Sequence, residues 1–172
     1  KDMLIKLCNL VKEFNHYITI ETEGSEFVET CADLISLSSK LSNSTPVPGT
    51  WMPYLNREVT ESDKKQHEKW RQNYQSMKAL ITYHPDYQFK PVISDKKDLE
   101  EVKYIQEILD IPNDKVYLMP EGISKEQIAT KNNITLVRAI HIGLLEITDW
   151  IAIGIHREDR PKNIEKNRMI VP

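Results

Sequence analysis

The residues best able to do chemistry fall at four places in the chain. Glu21 and Thr22 end a β-rich apolar run, Tyr17-Ile18-Thr19-Ile20, and Ser38, Ser39 and Lys40 end another, Leu34-Ile35-Ser36-Leu37. Lys90 sits inside a third run, Tyr87 to Ser94, and Glu121 follows a fourth, Lys115 to Pro120. Short apolar runs that stop in polar, charged and small residues are the pattern of buried parallel strands. In α/β folds the C-terminal ends of such strands are where ligands bind. A lysine beside two hydroxyls suits a carboxylate or a ribose; the alternative is a solvent-facing loop lysine. Glu21 points to the same end of the sheet as Lys40; taken alone, a glutamate at a strand end is more often a helix-dipole or surface partner than a catalytic group. An isolated ammonium is strongly disfavoured in a low-dielectric interior, so Lys90 either pairs with Glu21 inside the fold or turns outward past Pro91. Met119, Pro120 and Glu121 are either site residues or ordinary turn chemistry before a helix.

The elements that must position these residues alternate strand and helix. Leu4, Leu7, Val11 and Phe14 recur at near-helical spacing at the start of the chain. Glu26 to Ala32 has room for about two helical turns, which makes the first two strands a tight β-α-β unit. The loop from Asn43 to Gly49 is rich in turn residues, and Trp51, Met52, Pro53 and Tyr54 are expected to pack it onto the body. A helix from about Thr60 presents Trp70, Tyr74, Met77 and Ile81 on one face and ends at His84-Pro85. Pro91 sits where a central strand would donate a ladder hydrogen bond, so that strand carries a bulge or lies at an edge. Asp95 to Asp110 reads as a solvated crossover helix, and Ser124 to Gln127 as a capping box that opens the next helix. That helix runs to about Leu145, and Asp149 to His156 reads as a last strand. With no hairpin signal of the Asn-Gly kind, the sheet is expected to be mainly parallel, with right-handed crossovers.

Length and composition fit one ordered domain: 172 residues, 40% hydrophobic, few Gly and Pro. Lys and Arg total 23 against 26 Asp and Glu, a net charge of −3. Nothing in that balance favours capture of nucleic acid or an anionic membrane surface. Cys8 and Cys31, each in an expected helix among apolar neighbours, read as buried thiols of a reducing, cytoplasmic compartment. No apolar run reaches the ~20 residues needed to span a bilayer.

Four stretches, in order, resemble one family. Ile18-Thr19-Ile20-Glu21-Thr22-Glu23-Gly24 is similar to the "hitIETnGs" strand of the radical S-adenosylmethionine enzyme 7-carboxy-7-deazaguanine synthase, which acts on the route to 7-deazapurines such as queuosine. Leu34 to Ser44 resembles its "disiSPKlssS" strand and loop, Gln88 to Ser94 its "qlKFVvs", and Val116 to Gly122 its "vyLMPeG". The resemblance spans about residues 3 to 160 and implies an α/β fold, a mainly parallel sheet with crossover helices forming the second half of an open, partial TIM-like barrel. Residues 1–160 would be that domain and 161–172 a tail.

The resemblance also implies site roles. Ser38 and Lys40 match a Ser-Pro-Lys segment that lines the S-adenosylmethionine site; Ser39 stands where the family has proline, which should loosen the loop. Met119, Pro120 and Glu121 match a strand end lying against the adenosine side of the cofactor, and Glu21 and Lys90 would contact substrate. A complete family member also binds a 4Fe-4S cluster and Mg2+, for which this chain has no Cys-x3-Cys-x2-Cys. It converts 6-carboxy-5,6,7,8-tetrahydropterin, a pterin-type substrate, to 7-carboxy-7-deazaguanine, usually as a homodimer. In the last strand Trp150 and Ala152 stand where the family has Arg and the His beside the pterin. The partners expected are a second copy or an N-terminal half that carries the cluster. The alternatives are a non-catalytic or split-subunit module that binds a nucleoside-like ligand, and an unrelated small α/β binding module.

Overall fold

The computed structural model describes residues 1–122, 124, 126 and 127. Helix α1 (Asp2–Glu13) has Asp2 in its first turn and Lys12 in its last, charges that favour the helix dipole. Cys8 is buried and Leu4 and Val11 half-buried against the body, whereas Met3, Leu7, Leu10 and Phe14 form an exposed stripe. Lys12 Nζ donates to Asp33 at 2.5 Å, and the Ile18 N–H donates to the same carboxylate at 2.7 Å. The Lys12 hydrogen bond holds the Asp33 carboxyl below its usual range, and the shared acceptor ties the end of α1 to the start of the sheet.

Strands β1 (Thr19–Thr22) and β2 (Leu34–Leu37) pair in parallel, with Glu21 opposite Ser36. The two-turn helix expected between them is absent: residues 23–33 run without regular structure. Phe27, Val28 and Thr30 are weak helix formers, and two turns make too few hydrogen bonds to offset nucleation. Phe27 instead packs edge-on against Tyr83, with ring centroids 5.8 Å apart. Cys31, expected in that helix and buried, is exposed, with its Sγ 3.3 Å from Asn9 Oδ1; it and Cys8 are both free thiols.

A short antiparallel hairpin follows, β3 (Trp51–Met52) and β4 (Arg57–Glu58), turned with Asn56 at φ 52°. It was not signalled by an Asn-Gly pair, and its aromatic residues do not pack on the body: Trp51 is 61% and Tyr54 80% exposed. The single helix expected from Thr60 is two. Helix α2 (Glu61–Arg71) opens on a capping box between Thr60 and Asp63, and α3 (Tyr74–Tyr83) opens on Asn73, whose side chain accepts from the Ser76 N–H. The break at Gln72-Asn73 turns Trp70 to solvent while Met77 and Ile81 stay buried.

Pro91 divides the next strand into β5 (Tyr87–Phe89) and β6 (Val92–Ile93). It is a break inside the sheet, not an edge, because the line is flanked on both sides. Lys90 N–H donates to Leu37 O at 2.8 Å, and Met119 N–H donates to Pro91 O at 3.0 Å. Helix α4 (Lys96–Leu109) starts on a second capping box, Asp95 with Asp98, and ends on Asp110 in the left-handed region. Val116 then bridges Phe89 and β7 (Met119–Pro120) pairs with β6, both in parallel. The lines run β1, β2, β5 with β6, then 116–120, all parallel, as the strand-helix alternation predicted. Among the described residues they do not close into a barrel. Ser124 Oγ accepts from the Gln127 N–H at 3.2 Å, the expected cap. The helix to Leu145, the strand at 149–156 with Trp150, Ala152 and His156, and the 161–172 tail lie outside the described residues.

One face of the sheet carries the core: Ile35, Leu37, Phe89 and Leu118 pack with Met77 and Ile81 of α3 and Leu99, Val102 and Ile105 of α4. Gly24, at φ +80°, lies where this core meets the end of β1. A Cβ there would stand 2.7 Å from Leu37 Cδ1 and 2.7 Å from Met77 Cγ. Gly24→Ala is therefore expected to combine left-handed strain with overpacking and to cost about 2–4 kcal/mol, measured as a lowered midpoint in urea unfolding of the full-length protein.

Candidate functional site

Because all four lines run the same way, their C-terminal ends share one edge, and the singled-out residues sit along it. Glu21 is the next-to-last residue of β1, Ser38 to Lys40 follow β2, Lys90 follows β5, and Glu121 follows β7. Ser38 joins three of these ends: its N–H donates to Thr22 O at 2.8 Å and its Oγ donates to Lys90 O at 3.2 Å. Ser39 is 3% exposed, and its Oγ has no hydrogen-bond partner among the described residues. Lys40 next to it is exposed and makes no ion pair among the described residues. Met119 and Pro120 are half-buried, and the exposed Glu121 donates its N–H to Ile93 O at 2.9 Å.

The register places Glu21, Ser36 and Gln88 side by side on the face opposite Ile35 and Leu37, with Lys90 two residues beyond Gln88 on that same face. Glu21 and Lys90 are two strands apart, roughly 10 Å. The direct ion pair considered for them does not form, because Ser36 stands between them. Lys90 is half-buried rather than turned fully outward.

Helix α2, whose inward side is wholly polar, is linked to the loop after β2. Asp63, His67, Glu68 and Arg71 turn in; Lys64, Lys65, Lys69 and Trp70 turn out. With no apolar face to bury, polar contacts hold the helix in place. Arg57 pairs with Asp63 at 2.6 Å. Arg71, 8% exposed, donates to both oxygens of Glu68 at 2.7 and 2.5 Å and to Glu101 of α4 at 2.5 Å. Glu101 in turn accepts from the Ser42 N–H at 2.9 Å and its Oγ at 2.6 Å, and the Thr45 hydroxyl donates to Glu68. The loop after β2 is thus fastened to α2 through the Arg71 guanidinium and Glu101, and directly from Thr45 to Glu68. The loop after β1 is fastened by Asn73 Nδ2, which donates to Ser25 O at 2.9 Å.

This arrangement brings in a residue to which the sequence reading assigned no role. His67 lies one turn before Arg71 on the inward face, and its Nδ1 is buried without a partner among the described residues. Burial pushes its imidazole below the ordinary value, and Glu23 and Lys40, which follow β1 and β2, lie within its electrostatic field. The available signal was the spacing of Asp63, His67 and Arg71, which repeats every fourth residue in a helix that lacks apolar partners.

The two thiols lie elsewhere. Cys8 is inside α1, and Cys31 precedes β2 at the opposite end of the sheet from Lys40, so neither fits a cluster at the strand ends. Among the described residues no group of three His, Cys, Asp or Glu side chains is arranged to hold a metal ion, and no helix is long and apolar enough to cross a membrane.

Removing one partner of a buried ion pair costs about 3–5 kcal/mol. Glu68 and Glu101 keep partial solvent access, so Arg71→Ala is expected to cost about 2–3 kcal/mol by urea unfolding. Arg71 and, to a smaller extent, Thr45 hold the Glu68 carboxyl below its usual value. A depressed carboxyl pKa stabilises the fold above its unfolded value, about pH 4.3, and that contribution is lost as pH falls through the folded value. The wild-type melting temperature should therefore drop below about pH 4, and in Arg71→Ala this acid sensitivity should be smaller.

No family model matches the chain, and no solved structure matches it. Two curated proteins, both named 7-carboxy-7-deazaguanine synthase, are similar to it. The one from Rhodopirellula baltica is 34% identical over 125 residues, 73% of this chain and 45% of the relative. The one from Halobacterium salinarum is 26% identical over 154 residues, 83% of this chain and 55% of the relative. The chain spans about half the length of the curated relatives it matches, and the similarity agrees with the resemblance carried by its four strand-end motifs.

Proposed function

We propose that this chain forms part of a 7-carboxy-7-deazaguanine synthase of the radical S-adenosylmethionine class, acting in the cytoplasm on 6-carboxy-5,6,7,8-tetrahydropterin. In this reading its sheet is the second half of an open, TIM-like barrel. The observation that carries the reading is the common edge. Four parallel strand ends, each bearing a motif that resembles that family, share one edge, and two relatives of that name align over most of the chain.

Each residue then has a task set by its place. Lys40, exposed and without an ion-pair partner among the described residues, supplies the positive charge for the carboxylate of S-adenosylmethionine. Ser38 holds three strand ends in register, and the Ser39 Oγ beside it has no hydrogen-bond partner among the described residues. Met119, Pro120 and Glu121 line the adenosine side. Glu21 and Lys90, on the face opposite the core, hold the polar edges of the pterin with Ser36 between them.

S-adenosylmethionine, reduced beside a 4Fe-4S cluster, supplies the radical chemistry; the protein's share is to orient the reactants and exclude water. The ligands for the cluster and for Mg2+ would come from residues outside this sequence. The edge of β1, unpaired among the described residues, and the exposed stripe Met3, Leu7, Leu10 and Phe14 offer a strand and a helix face on which that other half, or a homodimer partner, would pack.

Calorimetry on the full-length protein tests the reading. Wild type should bind S-adenosylmethionine, and Lys40→Ala should weaken binding roughly ten- to a hundredfold, the value of one charge-assisted hydrogen bond. Conversion of 6-carboxy-5,6,7,8-tetrahydropterin, followed by chromatography, should fall in the same variant. Wild-type protein that binds no S-adenosylmethionine would rule the reading out.

A further inference from the structure

We propose that His67 contacts the ligand directly, its buried ring nitrogen hydrogen-bonding a ribose hydroxyl of an adenosyl compound held at the strand ends. The inference rests on the reading of that edge as an S-adenosylmethionine site and adds a residue from α2.

Placement is the first argument. His67 and Arg71 are four residues apart on α2 and so share a face. Arg71 is fixed by Glu68 and Glu101, and Glu101 grips Ser42 in the loop that begins with Ser38 to Lys40. His67 is half-buried with its Nδ1 shut off from solvent, and Lys40 and Glu23, which follow β2 and β1, are charges within its electrostatic reach.

Hydrogen bonding is the second. A buried polar atom left unpaired costs about 1–3 kcal/mol, and native folds keep few of them. Among the described residues Ser36 Oγ, Ser39 Oγ, Ser76 Oγ, His84 Nε2 and His67 Nδ1 are in that state; of these, Ser39 stands at the strand ends and His67 on the helix linked to the loop after β2.

The chemistry of the pair is the third. Burial lowers the imidazole pKa and so favours its uncharged form, and balancing an ionic ligand falls to Lys40. Two neutral groups that each donate or accept match a cis-diol, whose hydroxyls do the same. Of the parts of an adenosyl compound, the ribose fits this description.

Calorimetry on the full-length protein with S-adenosylhomocysteine and its 2′,3′-dideoxy analogue separates the outcomes. In wild type, loss of the hydroxyls should weaken binding at least roughly five- to tenfold, the net value of one or more neutral hydrogen bonds. In His67→Ala the gap between the two ligands should shrink severalfold. His67→Asn, whose amide reaches the Nδ1 position, should restore most of it; this variant also serves if the alanine protein melts early. A gap as large in both variants as in wild type overturns the role of His67 while leaving the Lys40 site standing. Equal binding of both ligands by wild type does the same. Failure of wild type to bind either compound overturns the site itself, and the inference with it.

Discussion

One guanidinium holds the strand-end site together. Arg71 binds Glu68 on its own helix and Glu101 on α4, and Glu101 carries the hold on to the backbone of Ser42. Helix α2 buries no apolar side chain, so its place is set by polar ties: this link, Thr45 to Glu68, Arg57 to Asp63, and the bond from Asn73, just after it, to Ser25. Charges taken out of water are stabilising only when their geometry is nearly complete. Here the three nitrogens of Arg71 that are engaged each meet a carboxylate oxygen at hydrogen-bond distance.

The sheet reaches the edge unevenly. Pro91 cannot donate, so one rung of the ladder toward residues 116–120 is missing, and the strand divides there. Ser38 offsets the break by joining Thr22 and Lys90 through its own backbone and hydroxyl. Gly24 leaves the chain free to turn at the end of β1 against Leu37 and Met77, where any side chain would collide. The edge is thus held by a few contacts at named residues rather than by continuous strand pairing.

Much of this was legible in the sequence, for physical reasons. Apolar runs ending in Glu21, Ser38 to Lys40 and Glu121 could be read as strands because parallel strands buried on both sides have a distinctive composition. Asp95 to Asp110 could be read as α4 because alternating charges around Leu99, Val102, Ile105 and Leu109 form a local pattern, while its Asp95–Asp98 capping box emerged only in the structure. The failures involve competition between local and distant contacts. Residues 26–32 were long enough for a helix, but Phe27 gained a partner in Tyr83. Trp70 fitted an apolar periodicity that Asn73 interrupted by capping a new helix. The β3–β4 hairpin turned on Asn56 without a following glycine, so its signal was weak. Cys31 was read as buried only because its helix was assumed. In the site, Lys90 was left either to pair with Glu21 or to turn outward, because period-two reasoning says nothing of the two strand spacings that separate them. His67 was invisible because its meaning depends on Arg71, and the partners of Arg71 are 3 and 30 residues away.

The wholly polar underside of α2 has an evolutionary corollary. Core packing restrains residues such as Phe89 and Leu99 through volume, so changing them disturbs the whole domain. The positions around His67 carry no such restraint so long as Arg71 keeps its anchors. Relatives can therefore drift in what they recognise at the strand ends while retaining one scaffold, with selectivity and foldability encoded in separate sets of side chains.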